Sequence, residues 1–366
     1  MTAKHRRFLL VNPFGIGDVL FTIPLIKNIR QGVPDAFIGY IANRRVAPLL
    51  QNLPEVNQVI IYERDQFKET YCKSKFAFFR LLRDTRYAIR NTQYDVAVDL
   101  SLNGYAAFFC RLAGIRERIG FNYKNRSRLL TRRIPLSGYE DRHVAEYYLD
   151  MLKELGLPVR IRSMAVPIPR QDQEWADDFF KKTGLLSFPV VAVAPGGGAS
   201  WGKDAVYKRW PAQNYAKLTD KIIENLKVKV ILLGGPEDAV LCRQIQDMVS
   251  HQLIFACGES SLCQSMALLA RCDLAVVNDG GLLHMAVAAG TTTVSIFGPV
   301  DDAVYGPYPA HSHRVVKNPI ACRPCYRNFR RARCEHVGCL SRIAVEDVFR
   351  EVEAIFSEAS FVKREA

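Results

Sequence analysis

The chain has 366 residues, 49% of them apolar and 24% charged, and no low-complexity or repeated segment. That is too long for one ordinary core, so two domains of roughly 150–200 residues each are expected. Its 50 Lys and Arg against 37 Asp and Glu give a net charge of +13, which calls for an anionic partner: a phosphorylated substrate, nucleic acid or acidic lipid.

The ten cysteines do not make a disulfide scaffold in a chain of this length. The apolar run Phe8–Val11 is too short for a signal peptide, and the longest uncharged stretch, Leu282–Val300, carries glycines, threonines and a proline rather than reading as a spanning helix. A reduced, cytoplasmic setting is therefore the expectation.

Arg7–Val11 reads as a buried strand, followed by the loop Asn12–Gly17, Asp18 and an apolar helix over Val19–Ile29. Asp18 falls at about the helix N-terminus, where it serves either as a plain cap or as a base taking a proton from a hydroxyl. Strands at Ala36–Ile41, Val56–Tyr62 and Asp95–Leu100 alternate with helices at Val46–Asn52 and Phe76–Asn91. Such alternation predicts a doubly wound parallel sheet with ligands beyond its carboxyl edge, where Asp18 and Ser101–Gly104 fall.

Phe76–Arg90 is both apolar and basic. It suits either an anionic membrane surface or, the reading preferred from sequence, a core-facing helix with a solvated basic face. Arg111–Arg133 holds Arg111, Arg116, Arg118, Lys124, Arg126, Arg128, Arg132 and Arg133 against Glu117 alone, which suits an anionic acceptor or lipid phosphates. No helix-turn-helix, zinc-finger or RNA-binding signature appears, and aromatics are not spaced for base stacking, so nucleic acid is not expected as a partner. A helix at His143–Leu155 and the extended Arg160–Pro169 lead to a junction at about 165–175.

In the second half, Pro189–Ala194 is an apolar strand running into Pro195–Ser200 (PGGGAS), with Trp201 and Lys208-Arg-Trp-Pro211 before the helix Ala212–Asn225. The strand Lys227–Leu233 ends at Gly234-Gly235-Pro236, where Glu237 or Asp238 suits either a ribose hydroxyl or a helix cap. Leu253–Ala256 ends at Gly258–Ser261, and Leu274–Val277 ends at Asn278-Asp279-Gly280-Gly281 before a helix carrying His284. One glycine turn ahead of a helix is a weak phosphate signal. Four at strand ends of one sheet, with a lysine and an acid, favour a nucleotide site.

Gly15-Ile-Gly-Asp18 with Thr22–Leu25, Tyr94–Leu100, the Pro195–Trp201 loop with Lys208–Pro211, Asn278–His284 with Phe297-Gly-Pro299, and Cys322-Arg-Pro-Cys-Tyr326 with Cys334 and Cys339 occur in that order. On these elements the chain resembles glycosyltransferase family 9, the lipopolysaccharide heptosyltransferases. The resemblance implies an α/β, GT-B architecture of two Rossmann-like doubly wound domains facing a cleft. Residues 1–168 would take the acceptor and 169–345 the nucleotide-sugar donor, with the last helix, 346–366, packing back on the N-terminal domain.

It further implies inverting transfer, with no metal or cofactor, from ADP-heptose to an anionic glycolipid such as lipopolysaccharide core, by an enzyme peripheral on the inner face of the inner membrane. Asp18 matches the general base. Lys208, Glu237, Ser260, Asp279, Gly280, Gly281 and His284 fall to the donor, and Gly17, Arg118 and Arg126 to the acceptor. Lys203 competes with Lys208 for the diphosphate, and Gly280 stands where the family often has a hydroxyl. A transferase using another nucleotide sugar, or a non-catalytic sugar-nucleotide binder, are the alternatives. Cys322, Cys325, Cys334 and Cys339 have the spacing C-x2-C-x8-C-x4-C, which suits a metal site by itself, but the family's chemistry assigns them none.

Overall fold

The computed structural model describes residues 6–358. The chain divides into two compact units, the first ending at Met164 and the second starting at Ala165. Each is built on one six-stranded, wholly parallel sheet.

The first sheet comprises β1 (Arg7–Val11), β2 (Phe37–Ala42), β3 (Gln58–Ile61), β4 (Val96–Asp99), β5 (Glu117–Tyr123) and β6 (Arg132–Leu136). Their order is β3-β2-β1-β4-β5-β6. In β1, Phe8, Leu9 and Leu10 are fully buried, because helices cover both faces of a parallel sheet and leave no polar side for alternation. The order reverses between β1 and β4, paired Val11 to Asp99, which opens a crevice beyond their carboxyl ends. β5 lies inside the basic stretch Arg111–Arg133, and β6 starts at its end, where the sequence gave no strand signal. The single helix expected over Val19–Ile29 is two, Ile16–Leu20 and Ile23–Gly32. Thr22 Oγ1 donates to Val19 O at 2.7 Å at the break, and Pro24 opens the second helix.

The second sheet comprises β7 (Val190–Ala194), β8 (Lys229–Leu232), β9 (Ile254–Phe255), β10 (Leu274–Asn278), β11 (Thr293–Phe297) and β12 (Arg314–Lys317). Its order is β12-β11-β10-β7-β8-β9, the same winding repeated, with the reversal between β7 and β10. A short antiparallel pair, β13 (Tyr326–Arg327) and β14 (Arg330–Arg331), lies outside the sheet.

The last helix, Val345–Glu358, buries Val348, Phe349, Val352 and Ile355 in the core of the second unit, packing on the helix Ala212–Leu226 and on β11 and β12. The resemblance had put it on the first unit. Trp210 Nε1 donating to Ile343 O at 3.1 Å fixes the chain just before this helix. Its apolar face is taken up here, each buried side chain contributing about 1.5–3 kcal/mol. Among the described residues no helix is long and apolar enough to cross a membrane.

Candidate functional site

In the second unit the four glycine turns follow β7, β8, β9 and β10, so all lie at one edge of the sheet. They touch in series. Gly258 N donates to Gly234 O at 3.0 Å, joining the turn after β9 to that after β8. The Asp238 carboxylate lies so close to Gly196 that a Cβ there would stand 2.2 Å from its carbon, joining the turn after β8 to that after β7. Gly280 faces Gly197 with 3.2 Å between a built Cβ and Gly197 Cα, joining the turn after β7 to that after β10. A serine or threonine at 280 would press on that backbone, which accounts for glycine at this position. Gly197 and Gly198, at φ +130° and +73°, hold a conformation that side chains disfavour.

Three side chains lock this floor. Asn278, buried at the end of β10, donates through Nδ2 to Pro195 O at 2.6 Å and accepts from Trp210 N at 3.2 Å. Arg209 donates to Gly197 O at 3.2 Å and to Asp238 Oδ1 at 3.0 Å. Asp238 also accepts from Gly235 N at 3.2 Å. Burial pushes the Asp238 carboxyl up, and Arg209 opposes the shift. Asp238 is thus an internal brace, while its neighbour Glu237 is exposed. Ser260 Oγ lies 2.7 Å from Ser265 Oγ at the start of the helix Leu262–Arg271.

Lys208 ends the irregular segment Ala199–Lys208, which breaks helical geometry at Gly202. Its Nζ sits 2.6 Å from Asp279 Oδ2 and 4.6 Å from the centre of the Trp201 ring, with Lys208 and Asp279 side chains 11% and 6% exposed. Lys203 is exposed in the same segment. Asp279 therefore fixes a nearly buried ammonium beside the N-terminus of the helix Gly281–Ala289, whose first turns carry Gly281 and the buried His284.

The cysteine segment braces the same lysine. Cys325 N and Tyr326 N both donate to Pro299 O at 3.0 Å, and Tyr326 stacks on Trp201 with centroids 4.9 Å apart. Cys322, Cys325, Cys334 and Cys339 line a small cavity with His336 and Arg331. Burial pushes the Cys339 thiol to about 11. Among the described residues no group of three His, Cys, Asp or Glu is placed to hold a metal ion.

In the first unit, Asp18 is the third residue of Ile16–Leu20, and Gly15 takes the cap position that the plainer reading gave to Asp18. Asn12 and Asn43 clamp the loop around Gly17 and Asp18. Asn12 Nδ2 donates to Asp18 O at 3.1 Å, and Asn43 Nδ2 to Phe14 O at 2.5 Å. The partly exposed Asp18 carboxylate lies near buried Tyr40, Tyr139 and Tyr148. Burial first, and the Asp18 charge as a further cause, pushes these phenols above their usual range, so they stay neutral beneath it.

Arg118 differs from its expected role. Its guanidinium donates to Leu129 O at 2.7 Å, Ile115 O at 2.5 Å and Arg116 O at 3.1 Å and is 9% exposed, so it ties the backbone on both sides of β5 instead of facing an acceptor. Arg126 is exposed in the turn after β5. A Cβ on Gly104 would stand 2.7 Å from Arg126 O, so this turn lies on the first residues of the helix Gly104–Leu112.

Asp99 closes β4 beside β1 and accepts from Ser101 N at 2.9 Å and Ser101 Oγ at 2.6 Å. Burial raises its carboxyl from 3.8 to about 6, with Ser101 opposing. The native state thus holds this proton more tightly than the unfolded chain. The stabilisation is complete below the ordinary value and is lost as pH rises through about 6. Asp99→Asn keeps the acceptor oxygen without the charge. It is expected to gain stability relative to the parent between pH 3 and pH 7, on the order of 3 kcal/mol. Urea unfolding at both pH values measures this, and an equal difference at both would contradict it.

A family model described as Glycosyltransferase family 9 (heptosyltransferase) matches residues 82–336. The chain belongs to glycosyltransferase family 9. The matched span contains all four joined glycine turns and begins beyond Asp18. Lipooligosaccharide heptosyltransferase 2 of Haemophilus influenzae is 29% identical over 305 residues, covering 80% of this chain and 83% of that one. The structure of a family 9 glycosyl transferase from Veillonella parvula superposes with a TM-score of 0.80 at 21% identity, over 98% of this chain and 99% of that one. The E. coli ADP-heptose lps heptosyltransferase II gives 0.75 at 23% identity, over 96% and 99%. The family 9 chain is therefore a glycosyltransferase of the GT-B fold, with two Rossmann-like units.

Sequence reasoning singled out Asp18, Lys208, Asp279 and the glycines of this family 9 enzyme. It missed Asn278, Arg209, Trp201, Tyr326 and Asp99 as parts of the framework. All five stand inside the motifs that carry the family resemblance, and for Asn278 and Asp99 a polar residue at the last position of a buried strand was the available signal.

Proposed function

We propose that this family 9 glycosyltransferase moves heptose from ADP-heptose to a lipopolysaccharide-core acceptor with inversion, at the cytoplasmic face of the membrane. The observation that carries the reading is Lys208, held 2.6 Å from buried Asp279 among joined glycine turns. Asp279 is neutralised by Lys208, so it does not repel a diphosphate, and the N–H groups of Gly280 and Gly281 together with Lys208 offer the positive end of the site. The names of the Haemophilus influenzae and E. coli relatives support heptose and ADP as the transferred sugar and the carrier.

In the transfer, an acceptor hydroxyl oxygen bonds to the anomeric carbon, the bond from that carbon to the diphosphate oxygen breaks, and its electron pair leaves with ADP. Asp18 takes the hydroxyl proton. Glu237, Ser260 and His284 complete the donor side, and Gly17 and Arg126 the acceptor side.

Thermal unfolding with a panel of nucleotide sugars tests the donor. A ligand at 100 times its dissociation constant adds about 2.7 kcal/mol. Stabilisation by ADP-sugars above UDP- and GDP-sugars is expected. Stabilisation by a UDP- or GDP-sugar alone would replace the donor, and none by any ADP-sugar would refute it.

A further inference from the structure

The helix Lys75–Asn91 of the first unit has two apolar faces, and only one is used. Ile89 is its one buried side chain, and Phe78, Leu81, Leu82 and Ala88 on the same side are half-buried. At about 100° per residue, an opposite sector of about 120° collects Phe76, Phe79 and Tyr87 together with Arg80, Arg83, Arg86 and Arg90. The three rings are 79%, 66% and 68% exposed. The helix carries one acid, Asp84, which pairs with Arg83 at 2.9 Å.

The patch continues onto the helix Gly104–Leu112. Arg86 Nε donates to Leu112 O at 3.1 Å, and Tyr105 and Phe108 are 74% and 44% exposed there, with Arg111 on the same helix. An ordinary solvated face would mix signs and omit exposed phenylalanines, and a core face would hide the rings. One side of the helix does face the core, with its arginines exposed, as the preferred sequence reading had it; the exposed rings on the other side are the part that reading did not expect.

We propose that this face docks the enzyme on a bilayer of anionic phospholipids. The rings enter the boundary between headgroups and acyl chains, and the arginines pair with lipid phosphates. The single sign of charge around the rings favours a continuous acidic sheet over a protein partner, which would need counter-charges and a matching groove. The proposal is independent of the donor, so failure of the ADP-sugar reading leaves it standing.

Sedimentation of the full chain with vesicles tests it, comparing equimolar phosphatidylcholine and phosphatidylglycerol with phosphatidylcholine alone. Salt-sensitive binding to the anionic vesicles only is expected. Phe76→Ser/Phe79→Ser/Tyr87→Ser should weaken it about tenfold or more. Arg80→Gln/Arg83→Gln/Arg90→Gln should weaken it about a hundredfold. All these side chains are exposed, so melting temperatures should be unchanged. As a second readout, the indole of Phe79→Trp should shift its emission to the blue on anionic vesicles. Absent or lipid-independent binding, a triple-serine variant that binds like the parent, or an unshifted Phe79→Trp would overturn the proposal. So would variants that lose only turnover of a water-soluble acceptor, since the face would then read sugar.

Discussion

Asp18→Asn is expected to abolish transfer while leaving ADP bound as tightly as in the parent. The substitution keeps the size of the side chain and removes its capacity to take a proton. The clamp on this loop uses the backbone oxygen of residue 18, held by Asn12, and the substitution leaves that contact in place. General-base catalysis contributes about 10²–10⁴ in rate. The turnover number for ADP release should fall by that factor, while calorimetry gives an unchanged ADP dissociation constant. Near-normal turnover would remove Asp18 from the role of base. Loss of ADP affinity alongside turnover would show that the residue acts through structure.

Lys208→Met should cost both stability and donor. It leaves Asp279, 6% exposed, as a buried charge without its cation. Breaking such a pair from one side costs about 3–5 kcal/mol. The double variant Lys208→Met/Asp279→Asn removes both charges and is expected to recover most of that loss in urea unfolding. It should not recover ADP binding, because the cation beside the phosphates is still missing. Recovery of ADP affinity in the double variant would assign Lys208 to the fold alone. Lys203→Met, which changes an exposed lysine of the same segment, should leave both quantities as they were.

Much of this fold was legible because each unit repeats one local grammar. Buried apolar strands such as Phe8–Val11 and Val190–Ala194 run into glycine turns and then helices, and the parallel doubly wound order follows from that alternation. The glycines of the four turns in the second unit were legible for the same reason, since they punctuate strand ends.

What escaped depends on contacts distant in sequence. Arg118 looked like one of a basic cluster, and only the folding of Ile115 and Leu129 around it spends its donors on carbonyls. β5 and β6 were hidden by the arginines within and around them, Arg118, Arg132 and Arg133 among them. Tyr326 reaches Trp201 across 125 positions, a stacking that no spacing rule anticipates. Asp238, not the adjacent Glu237, faces inward because Gly196 leaves room for its carboxylate. The exposed rings of Lys75–Asn91 share the period of a core-facing helix, so periodicity alone could not say which face the sheet would take.

The most direct measurement incubates the purified chain with ADP-heptose and a heptose-deficient lipopolysaccharide core, following ADP release, the mass of the acceptor and the anomeric configuration of the new glycoside. Acceptor-dependent ADP release is expected, matched mole for mole by acceptors that gain one heptose, with the anomeric configuration opposite to that of the donor. ADP release without acceptor modification, retention of configuration, or no reaction with an ADP-sugar that stabilises the fold would contradict the account.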